Sequence, residues 1–359
     1  MHFNKMQALG NDFVFIDKRD LYGIDLDEND IQIICDRNYG VGCDTLVIYD
    51  ASESTQSLSC EFYNANGSQA EICVNALRCL GFLMKKEYEE TDITVKCVVD
   101  ERVKRVAHVK CLEKVVCVNI GVPVFDADEL HIKQIKISSD FLNIGANVKT
   151  SVGQKLDIAC VSVGNPHVAI FSPIEDDEEQ ERIGEALNNK KYFKEGVNVS
   201  FVNVIDRHTI EIDVYERGCG FTLACGSGAC AAAFLAYKKG LIDNWVIVKQ
   251  RGGDLEISIA SDDSIEVSGD CSFAFSGEYS PEDFDQEYHL TDEDYDKVVD
   301  KLNELAQDNK DIKNLKRLID IMEEIDSGRD AEEILAEHNL TMDDFLDQVE
   351  YFNDLSEKI

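Results

Sequence analysis

The chain has 359 residues, 44% of them hydrophobic and 30% charged, with a formal net charge of −36. That length gives room for two or three domains with real cores. The acidity excludes nucleic acid and anionic membrane surfaces as partners, because both need a basic footprint.

No apolar run reaches the roughly 18 residues that cross a bilayer, and the start, MHFNKMQALGNDF, lacks a secretory pattern. A cytoplasmic protein is expected. Its thirteen cysteines are then expected to be reduced thiols. There is no CxxC pair. Cys219, Cys225 and Cys230 come nearest to metal spacing but have no histidine beside them, so no metal is expected. Most of the thirteen read as small buried hydrophobes.

Taken in chain order, short β-type runs bounded by turn residues fill the first 278 positions: 13–16, 46–49, 94–99 and 115–118, then 168–171, 209–215, 245–248, 255–259 and 264–267. Helical stretches fall near 30–36, 74–87, 178–188 and 226–240. Around Gly277 to Pro281 the character changes. Residues 281–359 carry 26 acidic against 8 basic residues, with apolar residues at helical spacing (Tyr295, Val298, Val299, Leu302, Leu305) and plausible N-caps at Thr291 and Thr341. The spacing predicts an α+β protein of two pseudo-symmetric strand-rich domains, 1–122 and 123–278, each with a central helix. An acidic all-helical C-terminal appendage follows over 279–359. Such an appendage serves either as a solubilising bundle, packed on the core or on a second copy in a homodimer, or as a partner-binding segment.

The two halves repeat one another. Gly10-Asn11 matches Gly164-Asn165, Gly40-Val41 matches Gly196-Val197, and Cys73 matches Cys225, at offsets of 154, 156 and 152 residues. After each cysteine comes an apolar helical run, with Phe-Leu recurring at Phe82-Leu83 and Phe234-Leu235. Each half therefore offers one thiol at a helix start. If the halves face across a pseudo-twofold, the thiols lie on opposite sides of one cleft, the arrangement that inverts a stereocentre.

The chemistry follows from that placement. Unpaired N–H groups at a helix N-terminus favour a thiolate. The glycine-rich entry Ala224-Cys225-Gly226-Ser227-Gly228 also lets a substrate carboxylate approach those donors. Charge building on the carboxylate as the α-proton leaves is stabilised there. Arg217, eight residues before Cys225, suits a carboxylate in a fork of hydrogen bonds, and adjacent Glu216 suits an ammonium, so the pair reads a small-molecule amino acid. Deprotonation by one thiolate and reprotonation by the opposite thiol needs no cofactor.

With LGNDF, GVGCD, FYNANGS, GNPH, EGVNV and YERGCGFTLACGSGAC in this order, residues 1–278 resemble the diaminopimelate epimerase family, the pyridoxal-independent amino-acid epimerases. The resemblance implies two α/β domains closing over the substrate, with Cys73 and Cys225 as acid/base thiols. It further implies that Asn64, Asn165, Asn198 and Arg217 hold the end that is not inverted. Asn11 and Glu216 would meet the reacting amino group, while Asn75, Gly226 and Ser227 supply the carboxylate-binding helix ends. Four positions depart from the family pattern: Val74 and Ala76 replace glycines, Phe221 a glutamate and Thr45 a glutamine. The activity expected is conversion of LL-diaminopimelate to the meso form. The alternatives are a racemase of a single-centred amino acid, such as histidine or a basic one, and a non-enzymatic scaffold.

Overall fold

The structure is a computed structural model that describes residues 1–280 except 22–23, 25, 114, 129, 134–137, 139, 143–150, 152, 154, 175 and 189–191. Its contacts divide the chain into Met1–Tyr279 and Ser280–Ile359. From 281 onward the expected acidic appendage lies outside the described residues.

Within Met1–Tyr279 one order of elements occurs twice. The first copy runs β1 (His2–Ala8), β2 (Asn11–Asp17), α1 (Glu28–Cys35), β3 (Thr45–Asp50), β4 (Ser57–Asn64), β5 (Gln69–Ala70), α2 (Val74–Tyr88), β6 (Asp92–Val99), β7 (Arg102–Cys111) and β8 (Val116–Gly121). The second runs β9 (Ile158–Ser162), β10 (Pro166–Ile170), α3 (Asp177–Asn188), β11 (Asn198–Asp206), β12 (Thr209–Glu216), β13 (Gly220–Phe221), α4 (Gly226–Lys238), β14 (Trp245–Gln250), β15 (Gly253–Ile259) and β16 (Ile265–Gly269), after which β17 (Ser272–Glu278) closes the unit.

Pairing repeats as well as order. In the first copy β1–β2 is antiparallel, β2–β3 parallel, β3–β4 and β4–β5 antiparallel, β4–β6 parallel, and β6–β7–β8 antiparallel. The second copy reproduces each of these with β9 to β16. The equivalent strands β8 and β16 then pair with each other, antiparallel, with Val118 opposite Val267. A self-paired junction of equivalent strands is what a twofold-like relation requires. At the other end β17 returns to β1, and the Met1 ammonium donates to the Tyr279 carbonyl at 2.7 Å.

Both parallel crossovers that carry the cysteines are central helices. From Val74 to Met84 every residue of α2 except Phe82 is buried, and α4 is buried from Gly226 to Ala236. Helices apolar on nearly every side are stable only when enclosed. Close approach is needed: a methyl on Gly81 would come within 2.4 Å of Val109 Cγ1. One continuous core joins the two helices, including Phe13, Phe15, Phe62 and Leu77 from the first copy and Ala229, Phe234 and Leu235 from the second. Smaller cores lie under α1 (Ile31, Ile34, Leu46) and α3 (Ile183, Leu187, Phe201). Among the described residues no helix is long and apolar enough to cross a membrane.

Candidate active site

Cys73 and Cys225 are the N-caps of α2 and α4, and their backbones nearly coincide: φ −130°, ψ 101° at Cys73 and φ −122°, ψ 109° at Cys225. The first turns of the two helices abut. A Cβ on Gly226 would lie 2.7 Å from Asn75 Oδ1, 3.0 Å from Val74 Cβ and 3.3 Å from the Asn75 nitrogen. Asn75 Nδ2 donates to the Ala224 carbonyl at 3.3 Å and to Asn11 Oδ1 at 3.4 Å. Val74 and Ala76 stand where the family pattern has glycines. Both side chains are buried in the main core, and with Val74 against α4, Gly226 is the residue whose missing side chain lets the helix ends meet.

The turns that flank the thiols are exchanged between the copies. Gly10, just before Asn11, rests on Leu223, two residues ahead of Cys225, and Gly164, just before Asn165, rests on Ile72, one residue ahead of Cys73. Each Gly-Asn turn thus meets the approach to the other copy's cysteine. This seam brings residues far apart in sequence to one place.

At Cys225 the sulfur accepts from the Gly228 N–H at 3.4 Å, lies 3.5 Å from Ser227 Oγ, and donates to Glu216 Oε2 at 3.2 Å. The Cys225 N–H donates to Gln250 Oε1 at 2.8 Å. At Cys73 no cap hydrogen bond forms. The helix-end stabilisation expected for a thiolate is opposed by burial at both cysteines. Burial pushes the Cys73 thiol up to about 12, against the pull of the Ala76 N–H. Burial, followed by the Glu216 charge, raises Cys225 well above the ordinary thiol range despite Ser227 and Gly228. The reason is magnitude: a helix end contributes about 0.3–2 kcal/mol, up to roughly 1.5 pKa units, whereas full burial shifts a group by about 3–5 units. The Glu216 charge raises both thiols, and burial raises Glu216 itself, partly offset by hydrogen bonds from Thr222 and Cys225. One carboxylate is thus a shared influence on both sulfurs, behind burial at each.

Asn11 Nδ2 donates to Asp44 Oδ2 at 3.0 Å, and Asp44 is clamped by Arg37 at 2.7 Å. Arg37 and Lys5 also hold Asp12, at 2.8 and 2.7 Å. Their hydrogen bonds outweigh its burial and keep its carboxyl well below the usual range. Asn64 ends β4 opposite Thr45 and donates to Ser68 Oγ at 3.0 Å. Asn198 starts β11 in register with His167, and its Oδ1 accepts the Arg217 N–H at 2.9 Å. Asn165 Oδ1 lies 2.9 Å from His167 Nε2. Burial, and then the Arg217 charge, lowers His167 to about 3. The lowered value favours a neutral ring, whose Nε2 stands within hydrogen-bond distance of the Asn165 amide oxygen. Phe221 stacks among Tyr215, Phe201 and the Arg251 guanidinium, at 5.4, 6.2 and 5.4 Å.

Contacts beyond the sites read from sequence include His167 on Asn165, Gln250 on the Cys225 N–H, Thr222 on Glu216, and Glu71, whose Oε2 lies 2.9 Å from Arg217 Nη2. His167 sits in the GNPH motif and was legible as polar. The Glu71 contact spans 146 residues and has no local signal.

The model of the diaminopimelate epimerase family matches residues 3–125 and 159–273. The chain is 35% identical to the diaminopimelate epimerase of Rickettsia typhi over 279 residues, covering 78% of this chain and 97% of that protein. It is 32% identical to that of Methanococcus maripaludis over 281 residues, covering 77% and 99%. Among solved structures, a hydroxyproline epimerase from Agrobacterium vitis with bound trans-4-hydroxy-L-proline shares the fold at TM-score 0.53 and 9% identity, covering 77% of this chain and 90% of that one. With its paired thiols set on repeated helices and this extent of likeness, the chain belongs to the diaminopimelate epimerase family.

Proposed function

We propose that the chain inverts an amino-acid α-carbon with two thiols and no cofactor, converting LL-diaminopimelate to the meso form in the lysine and peptidoglycan pathway. The observation that carries this reading is the pair of cysteine N-caps on abutting helices, with Glu216 acting on both sulfurs. The reading takes residues 1–122 and 123–278 as the two lobes around one cleft, in a cytoplasmic enzyme.

One sulfur, as thiolate, removes the α-proton from one face. The electron pair of the broken C–H bond passes into the substrate carboxylate, held by the helix-end N–H groups around Asn75, Gly226 and Ser227. The opposite S–H delivers its proton to the other face, so one C–H bond breaks, one forms and the number of protons is unchanged. Burial and the Glu216 charge both favour the protonated form of each sulfur. The substrate supplies the trigger: its ammonium, received by Asn11 and Glu216, offsets the charge with which Glu216 raises both sulfurs, and one S–H releases its proton to solvent to give the thiolate base.

A single-centred racemase would draw on Val74, Ala76, Thr45 and Phe221 as residues that reshape the pocket. Val74 and Ala76 lie in the core and Phe221 in an aromatic stack, so these three do not favour it; Thr45 is buried opposite Asn64. Incubation with LL-diaminopimelate in deuterated water is the test, with α-deuteration and the meso product expected. Cys73→Ala and Cys225→Ala each reduce turnover by about 100-fold or more. Exchange with histidine or a basic amino acid but none with diaminopimelate overturns the substrate, and unchanged turnover in either variant overturns the two-thiol chemistry.

A further inference from the structure

The two copies differ in charge at the position two residues before each thiol. By the 152-residue offset that relates the cysteines, Glu71 corresponds to Leu223. Leu223 leans on the Gly10 turn. Glu71 instead reaches the second copy and pairs with Arg217 at 2.9 Å, the two side chains only 20% and 25% exposed. The other acid near Arg217, Glu195, stands 4.0 Å away and is 57% exposed. One end of the seam thus holds an anion and a cation side by side and partly buried, two residues from Cys73. The equivalent place in the other copy is apolar.

We propose that Glu71 is a specificity-determining residue: its carboxylate receives the ammonium of the substrate's non-reacting end while Arg217 takes the carboxylate of that same end. The assignment rests on the function proposed above and narrows it to substrates with a second zwitterionic end. The physical reason is pairing. A ligand that brings a distal carboxylate alone takes Arg217 away from Glu71 and leaves a half-buried carboxylate without a partner, which is unfavourable. A ligand that brings both charges re-pairs both side chains. A single-centred amino acid too short to reach the pair leaves it closed and gains nothing from it.

The test compares LL-diaminopimelate with 2-aminoheptanedioate, which lacks only the distal ammonium, as substrates or competitive inhibitors of α-proton exchange in the full chain. In Glu71→Gln, KM for diaminopimelate rises about tenfold or more with kcat changed by less than about threefold. Binding of 2-aminoheptanedioate is unchanged or tighter in that variant, so the preference for diaminopimelate falls at least about tenfold. Glu71→Asp, which keeps the charge, retains most of the preference. A residue that merely propped Arg217 would affect both ligands alike, so an unchanged preference in Glu71→Gln overturns the assignment while leaving the enzyme's function standing. No exchange of diaminopimelate by the wild-type chain overturns the functional reading and the assignment with it.

Discussion

Gly226→Ala is the most direct probe of the contact between the two helix ends. The added methyl would sit 2.7 Å from Asn75 Oδ1, 3.0 Å from Val74 Cβ and 3.3 Å from the Asn75 nitrogen. Asn75 is fixed by its bonds to Ala224 and Asn11, and Val74 is set in the core, so neither yields cheaply. Ordinary carbon contacts begin at about 3.5 Å, so α2 and α4 must separate by several tenths of an ångström. Overpacking of this kind costs about 1–3 kcal/mol, offset by at most about 1 kcal/mol of helix propensity from replacing glycine. The variant therefore folds with a modestly lower Tm. Its chemistry suffers more, because displacing catalytic groups by about 1 Å costs on the order of 100-fold. We expect kcat for α-proton exchange to fall by about 10- to 100-fold while thermal unfolding shifts by only a few degrees. Turnover within twofold of wild type would show that the helix ends are not held together as described. Val74→Gly relieves only the Val74 contact and restores little, because Asn75 Oδ1 remains the nearer obstacle.

Two further outcomes follow from the charges. In Glu216→Gln the substrate-free thiols lose the negative charge that raises them, so alkylation of Cys73 and Cys225 by iodoacetamide at pH 9 accelerates while turnover is lost; slower alkylation would contradict the assigned coupling. His167 is held at about 3 in the fold against an unfolded value near 6.5, so the unfolded chain binds more protons between those values. Stability is then fully present above about pH 6.5 and falls as pH drops toward 3, by up to about 1.4 kcal/mol per unit. His167→Gln flattens that part of the pH dependence of urea unfolding, and an unchanged profile would refute it.

The helices and the thiols were legible because their signals are local. Glycine-rich entry, cysteine and apolar run follow one another within about a dozen residues, and the repeat offsets mark the second copy; α2 and α4 begin at the residues directly after Cys73 and Cys225. Strand signals were weaker wherever one face is open. β7 alternates Arg, Lys and His with small apolar residues and buries only Ala107, Val109 and Cys111; β17 has no buried residue, and β1, β4 and β11 mix polar side chains into each run. The β8–β16 junction and the Glu71–Arg217 pair join positions nearly 150 residues apart, where no periodicity speaks.

The balance of effects on the thiols was out of reach of the sequence for a related reason. A helix N-terminus can be seen in the sequence, but the enclosure around it cannot, and here enclosure is the larger effect. The same enclosure makes the site depend on its ligand. With Cys225 buried and Cys73 and Glu216 part-buried, an arriving ammonium changes the charge felt at each sulfur in a medium that screens it less than bulk water does. An enzyme with a permanently ionised Cys225 would be open to alkylation and oxidation without substrate. One whose thiolate forms only beside a bound amino acid is protected until it is needed. On this reasoning, alkylation of Cys225 in the wild-type chain accelerates when a non-reactive diaminopimelate analogue supplies the α-ammonium but leaves the sulfur accessible. It does not accelerate with an analogue in which that ammonium is replaced by hydrogen.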